Sequence, residues 1–308
     1  PRPPPLRFYV TLEGTRETWV RFRCRREHFR QLFEVMNFSP VFHCKNGSLF
    51  TGDEGFLLLI RRLGYPEEFD IECSELSCLF NTVVDWVWQT HRHRIKDNES
   101  KYPRGYEFCP VFACSGYMII GFLDGTLQRM CRLGGPMELD LQWEVYDGHH
   151  RAHGLGFQSV EFPDGMIGDI FGPMSGRRHN AHILREGRLN YGLGKLGQGF
   201  QYQVYRDAAY PVLSHVSRGF RGANLTPARK AYNRELSRVR ISVEWGFGKV
   251  VQMYPFVEFK KNLKLLLQSV GMYYLVTALL TNAHTCLYGS QIGIYFDMPS
   301  PSVEAYFA

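Results

Sequence analysis

Tyr117-Met-Ile-Ile-Gly-Phe-Leu-Asp124-Gly-Thr126 is the stretch on which the fold turns. An almost unbroken apolar run leads into an aspartate, as expected of a strand covered on both faces and ending in a polar residue. Downstream, Gly156-Phe-Gln-Ser-Val-Glu-Phe162 alternates, Pro163-Asp-Gly165 turns, and Met166–Phe171 returns, which predicts a hairpin. His179–Leu196 is helical through Ile183, Leu184, Leu189 and Leu193, with Gly187 a weak point. Tyr202–Tyr205 reads as a strand leading to Asp207. Thr226–Val250 is a long helix with the stripe Tyr232, Leu236, Val239, Val243, Phe247 and Val250, and Leu263–Leu287 is a final apolar helix. Strand, hairpin, helix, strand, helix, helix is the order of an α/β sandwich with a mixed sheet.

Upstream the periodicity differs. Phe29, Leu32, Phe33 and Met36 recur at helical spacing, as do Phe56, Leu59, Ile60 and Leu63, before the Gly64-Tyr-Pro66 turn. Ser74–Trp88 is a third helix with Ser74 as its expected N-cap. Residues 17–98 are therefore expected to be helical, a small helix-turn-helix-like unit. The polar stretch Lys96–Arg104 is the expected linker, which divides the chain into residues 1–104 and 105–308.

Composition narrows the class. With 308 residues, 44% hydrophobic and 21% charged, the chain can bury a large core and is not a disordered polymer. Its 8 cysteines show no C-x2-C pair and read as free thiols. Pro1–Val10 has no apolar signal segment and no initiating Met, so the sequence reads as a piece of a longer chain. Leu265–Ala283 carries no charge over 19 residues. Gln268, Ser269, Thr277, Thr281 and Asn282 nonetheless make it a buried core helix rather than a membrane span. The net charge of +6 is concentrated: Arg206–Lys249 holds nine basic residues against three acidic ones, and the rest of the chain nets zero. Residues 1–50 add a smaller excess around Arg21-Phe-Arg-Cys-Arg-Arg26. A polyanionic partner would explain both clusters.

Three acids stand where such a sheet places its chemistry. Asp124 is expected at the end of the first strand and Asp207 after another, and open α/β sheets gather ligands at strand carboxyl ends. Glu244 lies on the long helix, 37 residues after Asp207. Converging carboxylates would hold divalent metal through oxygen. Each acid also has a plain structural reading: Asp124 and Asp207 in turns, Glu244 paired with Arg240 one helical turn away.

The words around these acids are more specific. Gly121-Phe-Leu-Asp-Gly-Thr126, Tyr146–Gln158 with Pro163-Asp-Gly165, Gly172-Pro through Gly176-Arg-Arg-His179, Asp207-Ala-Ala-Tyr-Pro211, Asn233–Ser237, and Arg240-Ile-Ser-Val-Glu-Trp-Gly-Phe-Gly248 follow in order. Together, residues 121–308 resemble the DDE nuclease domain of the Harbinger (PIF) transposase family and its domesticated nucleases. Phe56–Pro66 and Leu76–Asn81 are similar to the helical region that precedes that domain. The resemblance implies an RNase H-like fold and a two-metal endonuclease using Mg²⁺ or Mn²⁺, with Asp124, Asp207 and Glu244 as ligands. It also implies DNA as substrate, a separate Myb-like DNA-binding partner and a nuclear location, with the cytoplasm as a second compartment; the sequence leaves the oligomeric state open, a dimer being compatible with it. Arg229, Lys230, Arg234 and Arg238 are the expected DNA contacts. The pattern departs at Asn180, where the family has an acid, and Asn180 is read as outside the metal triad.

Two other readings stand beside this one. A domesticated derivative that binds DNA or protein without cutting would keep the fold and lose the chemistry. His149, His150 and His153, or His179 with His182, would suit zinc only if a helix presented them at the right spacing, and here the first cluster precedes a strand. Phosphate-loop, dinucleotide and Gly-x-Ser-x-Gly signatures are absent from the sequence.

Overall fold

The computed structural model describes residues 19, 22–64, 72–96, 113, 114, 117–134, 139–187, 189–195, 201–206, 213–217, 219, 220, 222–258 and 263–308. Asp207 and residues 97–104 of the expected linker lie outside them.

The chain forms a mixed α/β structure around one twisted sheet. Strand β4 (Tyr117–Arg129) is central. It pairs antiparallel with β6 (Ala152–Glu161), which pairs antiparallel with β7 (Ile167–Ser175). On its other edge β4 runs parallel to β8 (Gln201–Arg206), and β8 runs parallel to β9 (Val216–Ser217). The short strands β3 (Ala113–Cys114) and β5 (Tyr146–Asp147) join β4 and β6. This mixed sheet fits an RNase H-like nuclease domain. The predicted hairpin is present: Phe162 N–H donates to Met166 O, and Gly165 takes φ 81°, a conformation glycine adopts without strain.

Before the sheet lie helices α1 (Arg26–Val35), α2 (Gly52–Gly64) and α3 (Cys73–His91). The all-helical expectation for residues 17–98 is corrected by a hairpin between α1 and α2, formed by β1 (Val41–His43) and β2 (Leu49–Thr51). The signal was Asn46-Gly47. Gly47 sits at φ 85° and the Asn46 side chain accepts from Ser48 N–H, turn chemistry that outweighs the flanking helical pattern. Ser74 is not the N-cap: α3 begins at Cys73, and the residue before it, Glu72, makes no side-chain cap.

Two helix layers sandwich the sheet. On one face pack α5 (Asn180–Glu186) and α6 (Leu189–Lys195), where the sequence suggested one helix. The break falls at Gly187, whose N–H closes α5 on Ile183 O. On the other face lie α7 (Pro227–Met253) and α8 (Val270–Tyr288), the latter buried along most of its length. The apolar residues Leu266 and Leu267, expected in this last helix, are exposed in the turn before it. Short helices α4 (Leu139–Glu144), α9 (Gln291–Phe296) and α10 (Val303–Phe307) complete the described chain. No helix among the described residues is long and apolar enough to cross a membrane.

The helical region and α8 share one hydrophobic cluster, running from Phe22 through Phe56, Phe80 and Val87 to Tyr273, Leu279 and Phe307. Phe80 meets Tyr273 and Phe256 with ring centroids 5.0 and 5.5 Å apart, and the Tyr273 hydroxyl donates to Asn81. Each large side chain fully buried there contributes on the order of 1.5–3 kcal/mol.

Candidate active site

Successive residues of a strand point to opposite faces, so the neighbours of β4 show where Asp124 looks. Leu123 packs with Leu184, Leu189 and Leu193 of α5 and α6. Gly125 lies on the same side, where an added β-carbon would meet the Asn180 side chain at 2.6–2.9 Å. Phe122 packs with Tyr205, Tyr232 and Phe247, and the Thr126 side chain lies close enough to the Tyr274 hydroxyl to influence its titration. Asp124, between Phe122 and Thr126 in this alternation, therefore faces α7 and α8. Asn180 lies against Gly125, on the opposite face of the sheet from Asp124.

Asp124 is half-buried, and its Oδ1 accepts from Gly125 N–H at 2.8 Å. It is not at a strand end, as the sequence suggested, because β4 continues for five more residues to Arg129. Gly125-Thr126 looks like a turn signal, but β6 pairs with β4 in register from Phe122 to Arg129 and carries the ladder through. On the parallel side β8 ends at Arg206, opposite Leu123. Asp207, the second predicted acid, is the residue after it and lies outside the described residues.

Glu244 is exposed on α7, the helix covering this face. The helix starts as its sequence dictates: Thr226 caps it by accepting from Arg229 N–H, and Pro227 fills the first position, where its missing N–H costs nothing. Asn233 holds the preceding loop to the helix, accepting from Phe220 N–H at 2.8 Å and donating to Phe220 O at 2.9 Å. Arg229, Lys230 and Arg234 are exposed, and the Arg229 guanidinium stacks 4.9 Å from the Phe220 ring centroid. The side chain of Arg238 falls outside the described residues.

Two cations of the basic segment do not belong to a surface. Arg206 is fully buried on β8. The Lys249 ammonium turns inward, donating to Thr285 Oγ1 at 2.8 Å and Gly289 O at 3.0 Å. Burial pulls its pKa down to about 8, against the opposing influence of Glu161.

Glu161 is the functional candidate that sequence reasoning missed. It lies on the same sheet face as Asp124: the register pairs Asp124 with Ser159 and Phe122 with Glu161. The side chain is 0% exposed, Ser159 Oγ donates to Oε1 at 3.4 Å, and Oε2 has no hydrogen-bond partner among the described residues. Burial pushes its pKa up to about 8, with Ser159 and Lys249 offsetting part of the rise. An acid inside an alternating apolar strand was the available signal. It went unread because alternation suggests one solvated face, whereas here helices cover both and Gln158, Ser159 and Glu161 are all buried.

The histidines make a local turn. Asp147 accepts from the backbone N–H groups of His149 and His150, and its second oxygen pairs with His150 Nδ1 at 2.7 Å. Burial works to raise the Asp147 carboxyl, but these bonds together hold it below its ordinary value. Among the described residues no three His, Cys, Asp or Glu side chains gather in a way that could hold a metal ion.

The architecture thus defines a class: a mixed-sheet α/β protein with an acid on its central strand and another on the helix crossing that strand's face. A sequence model for the DDE superfamily endonuclease family matches residues 123–282, just over half of the chain, and the chain belongs to this family. It is a transposase-like nuclease family whose substrate is DNA and whose members generally use divalent metal. No curated protein and no solved structure matches the chain.

Proposed function

We propose that this chain is a Harbinger (PIF)-type transposase or a nuclease derived from one, hydrolysing DNA phosphodiesters at a site built from Asp124, Asp207 and Glu244. The observation that carries this reading is the extent of the family match, which opens at Leu123, beside Asp124 on the central strand, and runs through Asp207 and Glu244. The donor set supports it: three carboxylates offer only oxygen, which suits Mg²⁺ or Mn²⁺ better than zinc. Two such ions, when bound, would activate a water and stabilise the leaving oxygen of a phosphodiester.

The chain's own contribution is positional. The Gly125 N–H fixes the Asp124 carboxylate, and the packing of Phe122 with Tyr205, Tyr232 and Phe247 closes the sheet face beside it. Glu244 is presented from an exposed helical turn, within reach of solvent and a polyanion. Arg229, Lys230 and Arg234, with Arg238, form the DNA-binding face of α7 in this reading. The helical region up to residue 104, through Arg23, Arg25 and Arg26, would position the duplex ahead of the nuclease domain at 105–308. The same reading brings a separate Myb-like partner and a nuclear place of action, and it is compatible with a dimer.

The test is a supercoiled-plasmid assay with Mg²⁺ or Mn²⁺. Nicking that stops with chelator and with Asp124→Asn supports the assignment, whereas cleavage that survives chelation or needs zinc alone overturns it. Retention of DNA without nicking under any divalent ion would mark the chain as a non-cutting, DNA-binding derivative.

A further inference from the structure

Glycine recurs twice on α7 near Glu244, and the two positions have different surroundings. A β-carbon added at Gly248 would meet nothing within 4 Å. One added at Gly246 would lie 2.5 Å from Glu161 Cδ and 2.6 and 2.7 Å from its two oxygens. Gly246 is buried while its neighbours Glu244 and Trp245 are exposed, so α7 approaches the sheet here through a glycine resting on a carboxyl group. One turn on, Lys249 ties the helix to the C-terminal end of α8 through Thr285 and Gly289. Glu161 thus stands at a seam, on the strand paired with that of Asp124 and against the helix that carries Glu244.

We propose that Glu161 is a positioning residue for Glu244: its carboxyl group is the spacer that sets how deeply α7 seats on the sheet at Gly246, and hence the separation between Glu244 and the strand of Asp124. This rests on the reading of Asp124 and Glu244 as metal ligands. The physical case is steric. The group is fully enclosed, cannot be replaced by water without a cavity, and touches the helix backbone two residues from the acid it positions. A buried carboxyl with an oxygen that finds no hydrogen-bond partner among the described residues is costly to keep for packing alone, and an aliphatic side chain would fill the space at less cost.

A double-mutant cycle tests it, read first by Mn²⁺ binding without DNA, from the fall in the free-ion electron paramagnetic resonance signal, and then by plasmid nicking. Gly246→Ala should push the helix off Glu161, weaken Mn²⁺ binding about tenfold or more and lower kcat about 100-fold, with KM for DNA little changed. Glu161→Ala should weaken both similarly by removing the spacer. Glu161→Gln, with the same shape, should recover most of both. In the double variant Glu161→Ala/Gly246→Ala the new methyl occupies the vacated space, so binding and kcat should recover toward wild type relative to either single change. Thermal melts accompany each variant. Recovery in the double variant at unequal melting temperatures supports positioning, whereas additive losses overturn it. Singles that bind Mn²⁺ as wild type does overturn it as well. If the wild-type chain binds no Mn²⁺ in a manner sensitive to Glu244→Gln, the metal-site reading itself fails. That outcome is separable, because the variants would then have no binding to lose.

Discussion

The two faces of the central sheet are built from the same strands and obey different rules. Against α5 and α6 the sheet presents Ile120, Leu123, Val160, Phe162 and Val204, and the helices answer with Leu184, Leu189 and Leu193, an apolar cluster with Gln158 and the partly exposed Asp169 on the same face beside it. Against α7 and α8 it presents Asp124, Ser159 and Glu161 among Phe122, Phe157 and Tyr205, and the helices bring Lys249, Thr285 and Tyr274. The first face stabilises. The second gives up part of that stabilisation by enclosing the Glu161 carboxyl group and half-burying that of Asp124. The alternation of one strand produces both, since Leu123 and Asp124 are adjacent residues pointing in opposite directions.

The sharpest break in this comparison is Glu244→Gln. The side chain is exposed, so folding and DNA binding should persist while nicking falls by orders of magnitude. Glu235→Gln, earlier on the same helix, is the control and should change little; equal effects would return Glu244 to an ordinary surface role. On the opposite face, Leu193→Ala should cost about 2–5 kcal/mol of stability from the cavity it leaves. It should shift the urea midpoint while leaving the metal dependence of the surviving activity alone. A change in metal dependence would mean that the two faces are coupled more tightly than their packing indicates.

Titration of Glu161 gives a third test. Its ordinary carboxyl value is 4.5 and its folded value about 8, so folded and unfolded chains are both protonated at low pH and its contribution is then fully present. Between those values only the unfolded chain ionises, so stability falls as pH rises, by up to about 1.4 kcal/mol per pH unit. Ser159, Asp164, Lys249 and Tyr274 face this group. Lys249, lowered from 10.5 to about 8, acts above that window: its penalty is relieved as pH rises past 8. His91 and His284, depressed by burial to about 4 and 3, cost stability as pH falls and are common to both proteins. The difference in melting temperature between wild type and Glu161→Gln should therefore change across pH 5–8. A difference that stays constant would show that the carboxyl group ionises in the folded chain as it does in the unfolded one.

Smaller effects belong to the N-terminal half of α7. Replacing Arg229, Lys230 and Arg234 by Ala should flatten the dependence of log K for DNA on log salt by about 0.9 for each phosphate no longer neutralised. An unchanged slope would move the binding surface to the cluster around Arg25 and Arg26. Thr226→Ala removes the N-cap of this helix and should cost about 1 kcal/mol, read from thermal melts.

Local chemistry makes much of this legible in the amino-acid order alone. The apolar run before Asp124 specifies a buried central strand, Pro163-Asp-Gly165 a hairpin, and Thr226-Pro227 the start of the long helix, because turns, caps and periodicity depend on residues close in sequence. The order of these elements suffices for a mixed α/β sandwich, and the acids are visible as candidates. Which face Asp124 occupies and how far its strand continues depend on β6, a partner that no local pattern names. The core shared by Phe80 and Tyr273 joins residues 193 positions apart in the chain, and separation of that kind leaves no periodic trace. The same holds for the seam at Gly246. In the sequence it is one of two similar glycines beside a tryptophan, and only the approach of α7 to β6 places a buried carboxyl against one of them and leaves the other open. Sequence determines what each segment can form by itself; the packing of segments decides which acid is exposed, which is enclosed, and which glycine has no room for a side chain.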